Sequence, residues 1–263
     1  MSRAEDNPGY VDEAYLRLLA ELTRPIKARS YALMRAQKGD KVLDVGCGPG
    51  TDTVALAARV GPGGEVVGVD YDHDMVSLAE RAAAEAGVER WVRHRCADAA
   101  SLPFPTGYFD ACRCERVFQH LPEPGRVLAE MLRVTKPGGW IVALDSDFGT
   151  LSVDTSELDV ERRLMRLLAD RFHHDGYAGR RLYRLFRRSG LAEVTVELFG
   201  LPFTGYALMR RVARFDELEA LARQLELITE DELQLWRTSL SQAEAAGGFF
   251  GSLTQVLVAG CRP

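Results

Sequence analysis

Cysteine is scarce in this chain and badly placed for cross-linking. Cys47, Cys96, Cys112, Cys114 and Cys261 are odd in number, irregularly spaced and without a Cys-x-x-Cys pair. That argues against a disulfide framework and a thiolate zinc site, and it suits a reducing cytoplasm. Cys112 and Cys114 share a face of an expected strand, but no second ligand pair accompanies them, so no metal is expected. No apolar run reaches the roughly 20 residues that cross a bilayer, and the N-terminus is acidic and amphipathic, unlike a signal peptide. No membrane partner is therefore expected. Positive charge is in deficit: 33 Lys and Arg face 38 Asp and Glu, a net charge of −5. A nucleic-acid partner needs a basic face and is not expected. The one local concentration, Arg180, Arg181, Arg184, Arg187 and Arg188, has helical spacing and reads as a solvated helix face.

What is present is an ordinary globular composition, 46% hydrophobic and 27% charged over 263 residues. That length allows one large α/β domain or two small ones. The chain is organised around Lys41-Val42-Leu43-Asp44-Val45-Gly46-Cys47-Gly48-Pro49-Gly50-Thr51-Asp52. An apolar run enters an Asp, three glycines follow at alternate positions, and an apolar-spaced stretch (Val54, Leu56, Ala57, Val60) comes next. The pattern predicts a buried strand, a tight loop and a helix whose free N–H groups face the loop. Glycines in a dinucleotide fingerprint occupy the first, third and sixth positions. Here the sixth position from Gly46 is Thr51, so the pattern is Gly-x-Gly-x-Gly.

Further segments repeat the strand–helix alternation. Glu65 to Asp70 predicts a second strand ending in a carboxylate, followed by a helix over 73–86 closed by Gly87. Asp70 either accepts bonds from vicinal ribose hydroxyls or caps that helix. Trp91 to Arg95 predicts a third strand, followed by Asp98-Ala99-Ala100-Ser101-Leu102-Pro103-Phe104. A fourth strand opens at Phe109-Asp110 and is followed by Gln119-His120-Leu121-Pro122. Helix 125–135 and the turn Lys136-Pro137-Gly138-Gly139 precede a fifth strand, Trp140 to Asp145.

Taken in order, these motifs resemble the class I S-adenosylmethionine-dependent methyltransferases, particularly the ubiquinone/menaquinone-type and natural-product enzymes. The resemblance covers about residues 38–147. It implies a Rossmann-like, seven-stranded, mostly parallel sheet with helices on both faces and a helical cap. It divides the chain into an N-terminal helical lid (1–38), a cofactor-binding core (39–150) and a sheet-completing part (151–263) with insertions at 151–173 and 202–248. It also implies S-adenosyl-L-methionine as cofactor. Asp44 would help hold its ammonium group, Asp70 the ribose, and Met75, Asp98 and Ala99 the adenine, with Gly46, Cys47, Gly48, Gly50 and Tyr71 also binding the cofactor. Cys114 and Glu115 would flank the methionine part and the acceptor, and Arg29 would meet the carboxylate. The N-terminal helices serve either as a lid or as cover for a sheet edge.

Methyl transfer from a sulfonium needs alignment and dryness more than proton chemistry. Candidate acceptor-side groups are Tyr10, Tyr31, His120, Asp147, His173 and His174, with Tyr10, His120 and His174 taken as the catalytic set. His173 and His174 are expected on one helix, pointing about 100° apart. The expected partner is a hydrophobic small-molecule acceptor, methylated on nitrogen, oxygen or carbon by a monomer or homodimer. A macromolecule methyltransferase, and a cyclase or binding protein that keeps the cofactor fold, remain open at this stage.

Overall fold

The structure, a computed structural model, describes residues 23–263. Tyr10 and the first predicted helix lie outside the described residues. Seven strands form one sheet in the order β3-β2-β1-β4-β5-β7-β6. They are β1 (Lys41–Val45), β2 (Glu65–Asp70), β3 (Val92–Cys96), β4 (Phe109–Glu115), β5 (Thr135–Val153), β6 (Ala192–Phe203) and β7 (Gly251–Cys261). The first five run parallel, and β7 is antiparallel to both β5 and β6. Near-continuous apolar sequence in the central strands is what burial on both faces requires.

Helices cover both faces. On one lie α1 (Arg24–Leu33), α2 (Thr51–Val60) and α3 (His73–Glu85), packed on Val42, Val66, Ala111, Val142 and Leu257. Pro25 falls in the first turn of α1, where its missing N–H costs nothing. On the other face α4 (Pro124–Val134) and α6 (Ala178–Arg188) bury Leu128, Met131, Leu182 and Phe186 against Leu43, Cys112 and Ile141.

The sheet extends further than the sequence suggests. β4 ends with Glu115 opposite Leu144, but β5 passes Asp145 and continues to Val153, opposite Gly251 of β7. Phe203 at the end of β6 pairs with the same Gly251. Along this extension Leu151 and Val153 are buried while Ser152 is exposed, the alternation of a sheet with one solvated face. A second apolar core forms on it, from Leu151, Val153, Leu201, Phe203 and Leu253 together with α5 (Leu158–Arg171), α7 (Tyr206–Val212), α8 (Phe215–Gln224) and α9 (Glu230–Ala245). Residues 206–226, which read as one helix, are broken by Arg214 at φ 52°. Among the described residues, no helix is long and apolar enough to cross a membrane.

The turn after β1 depends on close helix packing. Gly50 has φ +85°, and a Cβ there would approach the Cα of Ala79 in α3 to 2.8 Å. Gly87 has φ +68° but faces open space. Gly87→Ala is therefore expected to lose only the left-handed penalty of about 1–2 kcal/mol. Gly50→Ala should lose clearly more in a urea titration, because backbone must also move. Equal losses would show that the α2–α3 contact is not tight.

Candidate active site

Asp44 lies opposite Arg113 in the β1–β4 ladder. Strand alternation puts Asp44, Arg113 and Glu115 on the face covered by α1 and α2. Four charged side chains from these elements enclose Arg113, which is 1% exposed. Its Nη1 lies 3.1 Å from Asp44 Oδ1 and 3.2 Å from Asp52 Oδ2, and its Nη2 lies 2.6 Å from Glu115 Oε2. Lys27 of α1 adds a second cation, 2.6 Å from Asp52 Oδ2 and 2.9 Å from Glu115 Oε1. The Tyr31 hydroxyl donates to Asp52, and its ring lies 5.0 Å from the Arg113 guanidinium carbon. Three carboxylates thus meet two buried cations. Arg116, whose Nε is 3.5 Å from Glu115, stands at the margin.

The three carboxylates are not equivalent. Burial raises Asp52, but Arg113 and Lys27 together outweigh it and hold this acid well below the ordinary carboxylate range. Burial dominates at Asp44, with Arg113 only partly opposing it, and pushes its pKa up to about 7. Asp44 Oδ2 is buried with no hydrogen-bond partner among the described residues. A buried charge gains from a partner, so Asp44 is the acid in this cluster prepared for a cationic ligand.

The glycine turn sits at the C-terminal edge beside this cluster. Gly46 and Cys47 donate to Val69 O at 2.8 and 2.9 Å, which ties the turn to the end of β2. Asp70 accepts from Gly48 N at 2.8 Å and from Asp72 N at 3.0 Å. Its carboxylate is thereby held at the mouth of the turn with lone pairs to spare. Gly48 has φ +52°, and a Cβ on it would meet nothing within 4 Å, so the turn presents bare main chain to open space. Tyr71 is exposed and Met75 buried. Beyond β3, Asp98 accepts from Ala100 N at 2.8 Å, which fixes the loop carrying Ala99. Asp44 and Asp70 stand at the C-terminal ends of β1 and β2 and Asp98 just beyond β3, the edge at which open α/β sheets bind ligands in a crevice. These residues fit an adenosyl sulfonium amino acid: an orphaned carboxylate oxygen on Asp44, a fixed carboxylate at Asp70, and open approach to the main chain at Gly48.

Several predicted roles are corrected by the placement of the side chains. Arg29 does not face the crevice; its guanidinium grips Glu197 of β6 on the surface, with Nε 2.8 Å from Oε2. Lys27 is the cation that α1 turns inward. Cys114 packs in the core of the opposite face, 1% exposed, where burial raises its thiol pKa, and it offers nothing to a ligand. Tyr31 belongs to the ion cluster and not to an acceptor site. Asp147 is held by Arg180, Oδ2 to Nε 2.6 Å. His173 and His174 are not on a helix, because α5 stops at Arg171. In the turn that follows, His173 points inward and His174 is exposed. Sequence reasoning missed Arg113, although an arginine between buried neighbours in a central parallel strand signals a buried partner.

The end of β4 carries a second group. Arg116 has φ 54° and leads into a 3-10 turn, Phe118–His120. Gln119 Nε2 lies 2.9 Å from His120 Nε2. The His120 and His173 rings are 6.0 Å apart, and His173 stacks on Phe148 at 3.9 Å. Burial, then Arg116 and His174, lowers the His120 pKa to about 4; burial, then His120 and Arg214, lowers that of His173 to about 3. Burial raises Asp145 beneath them to about 7, although Ser146 N and Gln119 N donate to it. Among the described residues, no group of three or more His, Cys, Asp or Glu is placed to hold a metal ion.

Residues 43–143 match the family model described as a methyltransferase domain. The chain is 33% identical over 263 residues to a 37.1 kDa protein of a Streptomyces fradiae transposon, covering 98% of this chain and 72% of that one. It is 32% identical over 189 residues to the demethylmenaquinone methyltransferase of Halalkalibacterium halodurans, covering 66% of this chain and 75% of the relative. The matching region spans only about half of the Anoxybacillus flavithermus enzyme of the same name, 42% identical over 118 residues, or 45% of this chain and 49% of the relative. In fold the chain is similar to geranyl diphosphate C-methyltransferase from Streptomyces coelicolor A3(2), solved with Mg2+, geranyl diphosphate and S-adenosyl-L-homocysteine. That likeness has a TM-score of 0.57 at 21% identity and covers 96% of this chain and 84% of the other. With the strand order and the carboxylate-flanked glycine turn, these matches show that the chain belongs to the class I S-adenosylmethionine-dependent methyltransferases.

Proposed function

We propose that this protein transfers a methyl group from S-adenosylmethionine to nitrogen, oxygen or carbon of a hydrophobic small molecule, natural-product or quinone-like. One observation carries the reading: Asp44, with an unpartnered carboxylate oxygen, and Asp70, which accepts from Gly48 N, stand on either side of the glycine turn at the C-terminal edge of the sheet. The names of the Halalkalibacterium and Streptomyces coelicolor enzymes, which specify demethylmenaquinone and geranyl diphosphate, support a small-molecule acceptor with a hydrocarbon part.

When bound, S-adenosylmethionine supplies a methyl group already activated by its sulfonium. The chain's task is then to bind, align and exclude water. Asp44 receives the ammonium group on its unpartnered oxygen. Asp70 takes the ribose hydroxyls while its bonds to Gly48 and Asp72 keep it in place. Asp98 and the main chain of Ala99 meet the adenine edge. Arg113, fixed by three carboxylates, keeps Asp44 in position.

Calorimetry with S-adenosylhomocysteine should show binding to the wild-type chain, and its absence would defeat the proposal. Asp70→Ala should weaken that binding by about 2 kcal/mol, roughly thirtyfold, with Asp70→Asn intermediate. Unchanged affinity in both would mean that the ribose is held elsewhere.

A pH series tests Asp44. Near pH 6 this acid is mostly protonated, and near pH 8 mostly ionised. A cation binding beside it favours the ionised form, so affinity should rise about tenfold from pH 6 to pH 8. Asp44→Asn should abolish that slope. A flat wild-type profile would place the ammonium away from Asp44.

A further inference from the structure

The arginines of α6 are a sequence feature that the cofactor site leaves unused. This helix has five arginines in eleven residues and no acid. Two of them are answered locally: Arg180 Nε lies 2.6 Å from Asp147 Oδ2, and Arg181 Nη1 lies 2.7 Å from Asp175 Oδ2. Arg184, Arg187 and Arg188 are exposed and form no ion pair among the described residues. The helix dipole favours Arg187 and Arg188 in the last turn, but it does nothing for Arg184 in the middle. Like charges four residues apart repel, so Arg184 and Arg188 weaken the helix that carries them. In a chain with five more acids than bases, two such neighbours without an acid leave a place for an anion from outside.

Position separates these side chains. Arg181, Arg184 and Arg188 recur at helical spacing and line a groove of about 450 Å³, whereas Arg187 does not. The groove lies between α6 and the turn after β4, and Phe118, Leu121 and Leu185 give it apolar walls. Asp175 also lines it, but its carboxylate is occupied by Arg181 and by Tyr177 N, which donates at 3.0 Å. A solvated helix face is convex and polar; this one borders a concavity with hydrocarbon in its walls. A flat bilayer surface does not enter such a groove, but a single hydrocarbon chain ending in an anion does. A phosphate monoester carries close to two negative charges at pH 7, which matches two arginines, and the guanidinium forks suit its oxygens.

We propose that this groove binds a soluble amphiphilic phosphate, the phosphate monoester of a hydrocarbon chain. Arg184 and Arg188 hold the phosphate, and Phe118, Leu121 and Leu185 receive the chain. None of Asp44, Asp70 or Asp98 lines the groove, so this site is separate from the one assigned to the cofactor and does not rest on the methyltransferase reading.

The test is calorimetry of the full chain with octyl phosphate, kept below its micelle concentration. Saturable binding is expected, and it should weaken as salt is raised. Arg184→Gln and Arg188→Gln should each weaken it about tenfold. Arg187→Gln, outside the groove, should stay within about twofold of wild type, because an exposed charge beyond the contact is screened. All three side chains are exposed, so the variants keep the fold, which thermal unfolding checks. A ligand series needs no variant at all. Octyl glucoside has the chain without the charge, and ethyl phosphate has the charge without the chain; each should bind at least about tenfold more weakly than octyl phosphate. Three results overturn the proposal: equal affinity for ethyl and octyl phosphate, equal losses in Arg187→Gln and the two groove variants, or no binding of octyl phosphate. Capture of the chain by phosphatidylglycerol vesicles in that last case would mark α6 as a membrane-facing surface instead.

Discussion

The pairing of Asp44 with Arg113 is the interaction on which the site is built. Two central strands bring opposite charges face to face in a place where sequence normally supplies valine or isoleucine. Withdrawing ions from water costs several kcal/mol each, and one partner would not offset it. Arg113 is therefore surrounded by three carboxylates from three elements, and Lys27 from a fourth balances two of them. The result ties α1, α2, β1 and β4 into one arrangement directly beneath the glycine turn. Removing a single member leaves an uncompensated buried charge, so the cluster specifies position more than it adds stability.

Much of this was legible in the sequence, for definable reasons. The first five strands are apolar runs separated by helical patterns, and glycine turns mark their ends, so parallel βα units follow from periodicity. Asp70 and Asp98 stand out in the sequence because Asp70 ends its strand and Asp98 comes two residues after its own. The extension of β5 was not seen, because Gly149-Thr150 reads as a turn and the burial pattern changes there from two faces to one. The break at Arg214 has no sequence signal, since a non-glycine residue adopts the left-handed conformation. Choosing Arg29 over Lys27 was avoidable. Lys27, Ser30, Tyr31 and Met34 recur at helical spacing with Ile26 beside them, and three of these five have hydrocarbon or aromatic side chains suited to a buried face.

The long β5 also explains why the second half of the chain is the harder half to read. Its helices do not complete a repeating βα pattern. They cover an apolar face that exists only because three strands run beyond the end of β4. Phe148 lies on this extension, and the turn bearing His173 follows α5, which packs on it. Phe148 and the His173 ring stacked on it therefore belong with the second core, while His120, between Phe118 and Leu121, belongs with the first.

This division has an electrostatic consequence. The first core presents Asp44, raised to about 7 by burial and with one oxygen unpartnered, and suits a ligand that arrives positive. The turn after β4 brings His120 within 6.0 Å of His173 beside the second core, and burial is the largest effect lowering the pKa of both imidazoles. A displacement in which an anionic nucleophile meets a sulfonium cancels charge as it proceeds, so a dry, low-dielectric site does not oppose it. A site that held both reactants with charges of one sign would repel one of them. Because β1 and β4 are adjacent strands of one rigid sheet, groups at their ends can recognise the two reactants separately and still bring them together at the switch point of the fold.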